Sequence, residues 1–300
     1  TVLPEYRHKD DQLNPYMFVE DLFKCLNADD IVVTGNGSAC VITFQAANLK
    51  AGQRLFTNSG SASMGYDLPA AIGATIATGK RVICLAGDGS LMMNLQELQT
   101  LVGYNFPVKV IVLNNNGYHS IKQTQRAYFS DNIFGIDPSN GVSLPDFVKL
   151  GNALNITSHR VTTIEQWRSD TIQQLLSNDN PALIEVMLDP EQMFSPKLAA
   201  KKLPDGSLLA PSLENMSPFL PDDEMKRIKV DMDEFLTPVR KEDSGSDLWS
   251  VFNLVQEKVI TGDFDYTIGT KHRKAREIKN FKQDMLINKE LFNVALEYAS

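Results

Sequence analysis

The chain has 300 residues, of which 43% are hydrophobic and 22% are charged, as in an ordinary globular protein with a sizeable core. Its net charge of −8 argues against binding to nucleic acid, which needs a cationic surface, and its three scattered cysteines argue against a disulfide framework or a zinc site. No apolar run reaches the ~18 residues of a membrane span, and residues 1–11 lack a signal-peptide core, so we expect a cytoplasmic protein.

Helix-like and strand-like segments alternate from residue 16 to residue 190. Apolar residues at helical spacing predict helices over residues 16–26, 66–79 and 95–105. Short apolar runs that end in glycine or polar turns predict strands over residues 30–35, 81–89 and 108–117. The alternation continues through residues 143–154, 161–177 and 181–188.

This alternation predicts an α/β fold. Near-continuous apolar strands separated by helices imply a doubly wound parallel sheet with helices on both faces. In such sheets ligands bind beyond the carboxyl ends of the strands. The rule indicates three turns, at residues 35–39, 87–90 and 114–118.

The composition changes after residue 190, which predicts three regions. Residues 1–190 would form the α/β domain, and residues 191–246 an extended, charged arm and linker, since about half of residues 222–246 are charged. Residues 247–300 contain two amphipathic segments and would form a helical tail of unknown role.

The strongest local motif is the turn at residues 86–90 (AGDGS), between a predicted strand and a predicted helix. Glycine lets backbone N–H groups approach an anion, and the start of a helix adds partial positive charge, so a phosphate is the expected guest. Asp88 would repel a phosphate unless a cation lay between them, and Mg²⁺ is such a cation. For this motif alone, a tight turn capped by an aspartate is an equal alternative.

Three asparagines end the next predicted strand, and Asn115 follows Asp88 by 27 residues. That spacing accommodates one helix and one strand, so both side chains are expected at the same edge of the sheet. The amide oxygen of Asn115 and the backbone carbonyl of Gly117 would complete an oxygen ligand set for Mg²⁺. The alternative is an ordinary asparagine–glycine turn, which the pairing with Asp88 disfavours.

These motifs together resemble the signature of thiamine diphosphate-dependent enzymes. Residues 58–74 (NSGSASMGYDLPAAIGA) are similar to the pyrimidine-facing loop and helix of the group that contains acetolactate synthase, pyruvate oxidase and benzoylformate decarboxylase. Residues 33–45 (VTGNGSACVITFQ) resemble the first diphosphate-side loop of that group. The blocks follow the order of the family, and the resemblance covers roughly residues 15–190, the domain that holds the cofactor diphosphate.

The resemblance implies a role for each matching residue. Asp88 and Asn115 would be side-chain ligands of Mg²⁺, and Gly117 would offer its carbonyl. The turn at residues 114–118, which holds the implied metal ligands, is called the metal turn below. The residues implied to bind thiamine diphosphate are Gly87, Gly89 and Ser90 at the diphosphate, Ser38 and Ala39 from the opposite loop, Ala62, Ser63 and Met64 beside the aminopyrimidine, and Tyr118 in the metal turn.

Two positions depart from the pattern of acetolactate synthases. Those enzymes usually carry Gln-His where this chain has Ser38 and Ala39, and again where it has Asn116 and Gly117. The metal carbonyl survives the second change, but side chains that shape the substrate pocket do not. The resemblance therefore implies an acetolactate synthase-like enzyme rather than acetolactate synthesis itself.

In this family the activating glutamate comes from a separate pyrimidine domain, usually of a partner subunit, and these residues contain no equivalent. We expect that domain in cis, before residue 1, or in a partner chain, so the catalytic acid would lie outside this sequence. The resemblance implies a homodimer or tetramer that acts on a 2-oxo acid by decarboxylation or carboligation, as a lyase or transferase.

Two other functions stay open: a non-catalytic or regulatory thiamine diphosphate-binding module, and a different phosphate-binding α/β enzyme that uses the GDGS turn alone. His119, beside the metal turn, would either face a substrate or serve the structure. Met92 and Met93 could shape the cofactor pocket, but core packing is the expectation for both. The basic stretch at residues 271–282 could be a patch for phosphate or nucleic acid, but the net charge of −8 favours a solvated helix or loop.

Overall fold

The computed structural model describes residues 6, 12–129, 132–202, 207–209, 215–221, 223–227, 267–268 and 271–272. The chain divides into two compact units, Thr1–Ser195 and Pro196–Ser300. None of the helices in the described ranges is long and apolar enough to cross a membrane.

The first unit is an α/β domain, and its elements alternate along the chain. Its strands are β1 (Ile31–Thr34), β2 (Arg54–Phe56), β3 (Val82–Gly87), β4 (Val108–Asn114), β5 (Thr157–Val161) and β6 (Ala182–Met187). Its helices are α1 (Pro15–Cys25), α2 (Gly37–Ala46), α3 (Asp67–Thr78), α4 (Asp88–Leu91), α5 (Leu98–Tyr104), α6 (His119–Phe129), α7 (Phe147–Ala153), α8 (Ile164–Trp167) and α9 (Asp170–Ser177).

The six strands form one parallel sheet in the order β2-β1-β3-β4-β6-β5. Alternate residues of each strand enter two separate cores, since successive side chains point to opposite faces. On β3, Ile83 and Leu85 belong to one core, and Val82, Cys84 and Ala86 to the other. Helices α1, α2, α8 and α9 cover the first face, and α3, α5 and α7 cover the second. The predicted doubly wound α/β sheet is confirmed.

Some boundaries differ from the prediction, for local reasons. The segment 161–177 contains the end of β5, followed by α8 and α9. The side chain of Thr163 caps the start of α8, and the extended backbone at Ser169 separates α8 from α9. The prediction that Met92 and Met93 lie in the core is wrong: the two residues are 36% and 49% exposed, whereas the preceding Leu91 is fully buried.

The second unit is described only in part. Strand β7 (Lys201–Lys202) pairs antiparallel with β8 (Leu208–Leu209), and β9 (Thr267–Ile268) pairs antiparallel with β10 (Lys271–His272). The predicted helices of the tail, and most of the basic stretch at 271–282, lie outside the described residues.

Candidate functional site

A cavity of about 290 Å³ opens at the carboxyl ends of β1, β3 and β4. In the sheet, β2 lies on one side of β1, and β4 lies on the opposite side of β3. The direction of winding therefore reverses between the neighbouring strands β1 and β3, and the cavity lies at this point. Such a switch point is where doubly wound sheets bind ligands.

The cavity brings together most of the residues that the sequence singled out. The predicted residues that line it are Ser38, Ala62, Met64, Gly87, Asp88, Gly89, Ser90, Asn115, Gly117 and Tyr118. Ala39 is fully buried beside it without lining it, and Ser63 is exposed on the loop at residues 57–66. The three turns indicated by the sequence therefore meet at one site.

Asp88 is the most enclosed acid of the cavity, with 2% of its surface exposed. Its carboxylate accepts hydrogen bonds from the backbone N–H of Gly89 at 2.7 Å and of Gly117 at 2.9 Å. Burial raises the pKa of Asp88 to about 6, although these N–H donors pull it the other way. The carboxylate thus links the turn after β3 to the turn after β4.

Asn115 presents a bare acceptor at the same place. Its side-chain amide N–H donates to the hydroxyl of Ser38 at 3.0 Å. Its Oδ1 is buried and has no hydrogen-bond partner among the described residues. A buried amide oxygen without a donor is a suitable ligand for a hard cation.

Gly117 occupies a backbone conformation that favours glycine, with φ at +137°. A Cβ atom there would lie 2.0 Å from the carbonyl oxygen of Ile136. That oxygen accepts the N–H of Tyr118 at 2.9 Å, so the turn packs directly on the chain at residue 136. The Gly117 carbonyl accepts the N–H of His119 at 3.1 Å and retains a second lone pair.

Position 89 also needs glycine, because the ring of Tyr118 lies close to its backbone. A Cβ atom on it would lie 2.3 Å from the ring of Tyr118. The tyrosine ring therefore packs over the backbone of the GDGS turn, and the two turns enclose one wall of the cavity.

The hydroxyl of Ser90 is used within the protein. It donates to Oδ2 of Asp67 at 2.6 Å and accepts the backbone N–H of Gly65 at 2.9 Å. Asp67 has no exposed surface, and burial raises its pKa, while Ser90 and the N–H of Leu68 lower it. Sequence reasoning missed Asp67; an acid at the first position of α3 was the available signal.

A second missed group supports the turn at residues 114–118 from behind. Glu185 on β6 is 1% exposed; it accepts from the amide of Asn114 at 2.7 Å and from Arg160 at 2.7 Å. The Oδ1 of Asn114 accepts the N–H of Asn116 at 2.9 Å. An acid in the middle of an apolar strand was the signal that could have found it.

His119 lines the cavity and is 6% exposed. Its Nε2 lies 2.8 Å from the carbonyl of Gln192 and 2.7 Å from the amide nitrogen of Gln123. Its ring meets Phe194 edge to face, and burial lowers its pKa. These contacts fix the imidazole on α6, which serves the structure as well as the cavity wall.

The donor set suits Mg²⁺ shared with a phosphate. In the described part of the chain, no group of three His, Cys, Asp or Glu residues could hold a metal by itself. One carboxylate, one amide oxygen and one carbonyl leave coordination positions open, which phosphate oxygens and water usually fill around Mg²⁺.

Comparison with known proteins identifies a cofactor-binding domain in this part of the chain. Residues 35–186, just over half of the chain, match the family model described as thiamine pyrophosphate enzyme, C-terminal TPP binding domain. Thiamine pyrophosphate is another name for thiamine diphosphate.

Relatives include the acetolactate synthase large subunits of Cyanidium caldarium (37% identical over 147 residues, 49% of this chain and 25% of that protein) and of Parasynechococcus marenigrum strain WH8102 (35% over 163 residues, 54% and 26%). The acetolactate synthase isozyme 1 large subunit of Escherichia coli K12 is 29% identical over 187 residues, 62% of this chain and 33% of that protein. The chain thus spans a quarter to a third of the length of these relatives.

Proposed function

The chain belongs to the thiamine pyrophosphate enzymes, through their C-terminal cofactor-binding domain, and from that premise we propose that it binds thiamine diphosphate with Mg²⁺ in the cavity at the ends of β1, β3 and β4. The observation that carries the proposal is the meeting of the Asp88 carboxylate, the bare Asn115 oxygen and the Gly117 turn around one cavity.

In this proposal each residue acts through a named group. Asp88, Asn115 Oδ1 and the Gly117 carbonyl hold Mg²⁺. The backbone of the GDGS turn faces the diphosphate, because the Ser90 hydroxyl already donates to Asp67. The remaining contacts would come from Ser38 and Ala39 on the diphosphate side, from Ala62, Ser63 and Met64 beside the aminopyrimidine, and from Tyr118.

We propose that the reaction is decarboxylation or carboligation of a 2-oxo acid. Bound thiamine diphosphate supplies the thiazolium carbon that accepts such a substrate, and the protein's part is orientation and exclusion of water. The relatives named as acetolactate synthases support this class of reaction. Ser38 and Asn116, at positions where those enzymes usually carry glutamine, support a different substrate pocket.

The other half of the active site belongs to the proposal as well. We propose that a pyrimidine domain, in cis or in a partner subunit, supplies the activating glutamate, and that the active unit is a homodimer or tetramer. The family resemblance of residues 58–74 to a pyrimidine-facing loop supports this arrangement.

The test is calorimetric titration of thiamine diphosphate into the chain with and without Mg²⁺. Wild type should bind only with Mg²⁺, and Asp88→Ala should weaken that binding at least about a hundredfold, since it removes the only carboxylate of the proposed ligand set. Asp30→Asn is the matched control, because Asp30 is similarly buried but pairs with Arg81 before β3. Equal affinity of wild type and Asp88→Ala would refute the metal site.

A further inference from the structure

Asp67 is a buried carboxylate that the proposed chemistry leaves unused. It does not line the cavity, and no cationic side chain in the described ranges lies within ion-pair distance of it. A buried carboxylate without a cation is costly, so hydrogen bonds must hold it in place. Both oxygens accept one: Oδ1 from the N–H of Leu68 at 2.9 Å, and Oδ2 from Ser90 at 2.6 Å.

The Ser90 hydroxyl transmits the effect of Asp67 to a neighbouring loop. Because a carboxylate can only accept, the hydroxyl proton must point to Asp67, and the oxygen lone pairs are left for the N–H of Gly65 at 2.9 Å. Asn94 holds the other side of the same residue by donating to the Gly65 carbonyl at 2.6 Å. The segment that begins with the GDGS turn therefore binds both the N–H and the carbonyl of Gly65.

Two glycines make this arrangement possible. A Cβ atom on Gly35, at the end of β1, would lie 2.2 Å from the Asp67 carboxylate. A Cβ atom on Gly65 would lie 2.6 Å from Met93 and 2.7 Å from the Asn94 amide, and φ at Gly65 is +78°. Asp67 thus lies where the loop after β1, the loop at residues 57–66 and the GDGS turn converge.

We propose that Asp67 is a positioning residue: it orients the Ser90 hydroxyl so that the loop at residues 57–66 is clamped to the GDGS turn. The inference deepens the proposed function, on which it rests. The clamped loop carries the residues assigned to the aminopyrimidine, and the turn carries those assigned to the diphosphate. The clamp therefore fixes the distance between the two ends of the cofactor site.

The first measurement needs no cofactor. Amide hydrogen exchange at Gly65 should be about tenfold faster in Asp67→Ala than in wild type, since the Ser90 hydroxyl is then free to turn away from that N–H. Ser90→Ala removes the acceptor itself and should have the same effect, which keeps the test valid if Asp67→Ala folds poorly. The control is Asp30→Asn, which changes a buried acid that pairs with Arg81 instead of Ser90. This variant should leave exchange at Gly65 unchanged.

The second measurement compares two probes, each with Mg²⁺: inorganic pyrophosphate, which occupies only the diphosphate end, and thiamine diphosphate, which spans both ends. Asp67→Ala should reduce the preference for thiamine diphosphate over pyrophosphate about tenfold, while Asp67→Asn, which keeps the shape and one acceptor, should stay within about threefold of wild type. A merely structural role would weaken both probes equally.

The outcomes separate this inference from the proposed function. If wild type binds neither probe, the cofactor assignment fails, while the exchange rate at Gly65 still decides whether the clamp exists. Unchanged exchange at Gly65 in both Asp67→Ala and Ser90→Ala, or an unchanged ratio of the two affinities, would overturn the role of Asp67.

Discussion

Replacing Gly117 with alanine tests whether the metal turn depends on its close contact with residue 136. The new Cβ atom would lie 2.0 Å from the Ile136 carbonyl oxygen and 3.0 Å from its carbon. Neither neighbour can give way cheaply, because both are backbone atoms. The residue would also keep φ near +137°, which is unfavourable for any L side chain.

The expected cost can be divided into two parts. The backbone conformation alone costs about 1–3 kcal/mol for a residue with a Cβ atom. Relieving the collision would break the bond from the Tyr118 N–H to the Ile136 carbonyl and shift the turn, which adds about 1–2 kcal/mol. We therefore expect Gly117→Ala to lower the free energy of unfolding by about 2–5 kcal/mol.

Gly141→Ala is the matched control. Its φ is +108°, but no atom of the described residues lies within 4 Å of the position of a Cβ atom. It should cost only the conformational part, about 1–3 kcal/mol in urea unfolding, and should leave the affinity for thiamine diphosphate with Mg²⁺ unchanged. Gly117→Ala should lower that affinity at least about tenfold, since the turn holds both Asn115 and the carbonyl ligand. Equal destabilisation by the two variants, together with unchanged affinity in Gly117→Ala, would refute the reasoning.

Two further predictions concern charge around the site. Because burial raises the pKa of Asp88 to about 6, its proton competes with Mg²⁺, and the cofactor affinity should fall about tenfold from pH 7 to pH 5. The cofactor-free chain should respond with the opposite sign and lose unfolding free energy as pH rises from about 4 to 6. Asp88→Asn should reduce this slope in urea titrations, and Asp67, whose pKa burial also raises, should supply a remainder of the same sign. A slope as steep in Asp88→Asn as in wild type would contradict the contribution of Asp88. Glu185→Gln should weaken Mg²⁺-dependent binding of thiamine diphosphate about 10- to 100-fold, because it disrupts the support of Asn114. The control is Asp21→Asn, which removes a comparable pair with Arg168 and should leave that affinity unchanged. Equal losses of affinity in both variants would indicate general destabilisation.

The sequence predicted the sheet, and the meeting of the turns after β3 and β4 at one cavity, because both depend on local signals. Two apolar runs in the sequence correspond to β3 and β4, and a parallel sheet brings the carboxyl ends of its strands together. The spacing of Asp88 and Asn115 was therefore sufficient to predict that both lie at the same edge of the sheet. Edge strands carry a weaker signal: β5 is the sequence TSHRV, in which only the valine is apolar, and β2 has only three residues. Helix α2 was also not predicted, since GSACVITFQA is apolar on nearly all sides and contains β-branched residues.

The groups that the sequence did not reveal act over long separations. Asp67 lies 23 residues from Ser90, and Glu185 lies 71 residues from Asn114. Nothing in the sequence of either pair marks its partner, because the contact exists only after the chain has folded. The same is true of Ser90, whose hydroxyl is available to a phosphate in the motif but is directed to Asp67 in the fold.

The bare oxygen of Asn115 has a thermodynamic consequence for ligand affinity. A buried acceptor without a donor costs the folded protein about 1–3 kcal/mol, and the fold bears that cost before any ligand arrives. A cation that binds there need not displace an existing hydrogen bond, so the same 1–3 kcal/mol returns as roughly 5- to 150-fold in affinity. A ligand that contacts Asn115 Oδ1 should therefore stabilise the turn after β4, which amide hydrogen exchange with and without ligand would show.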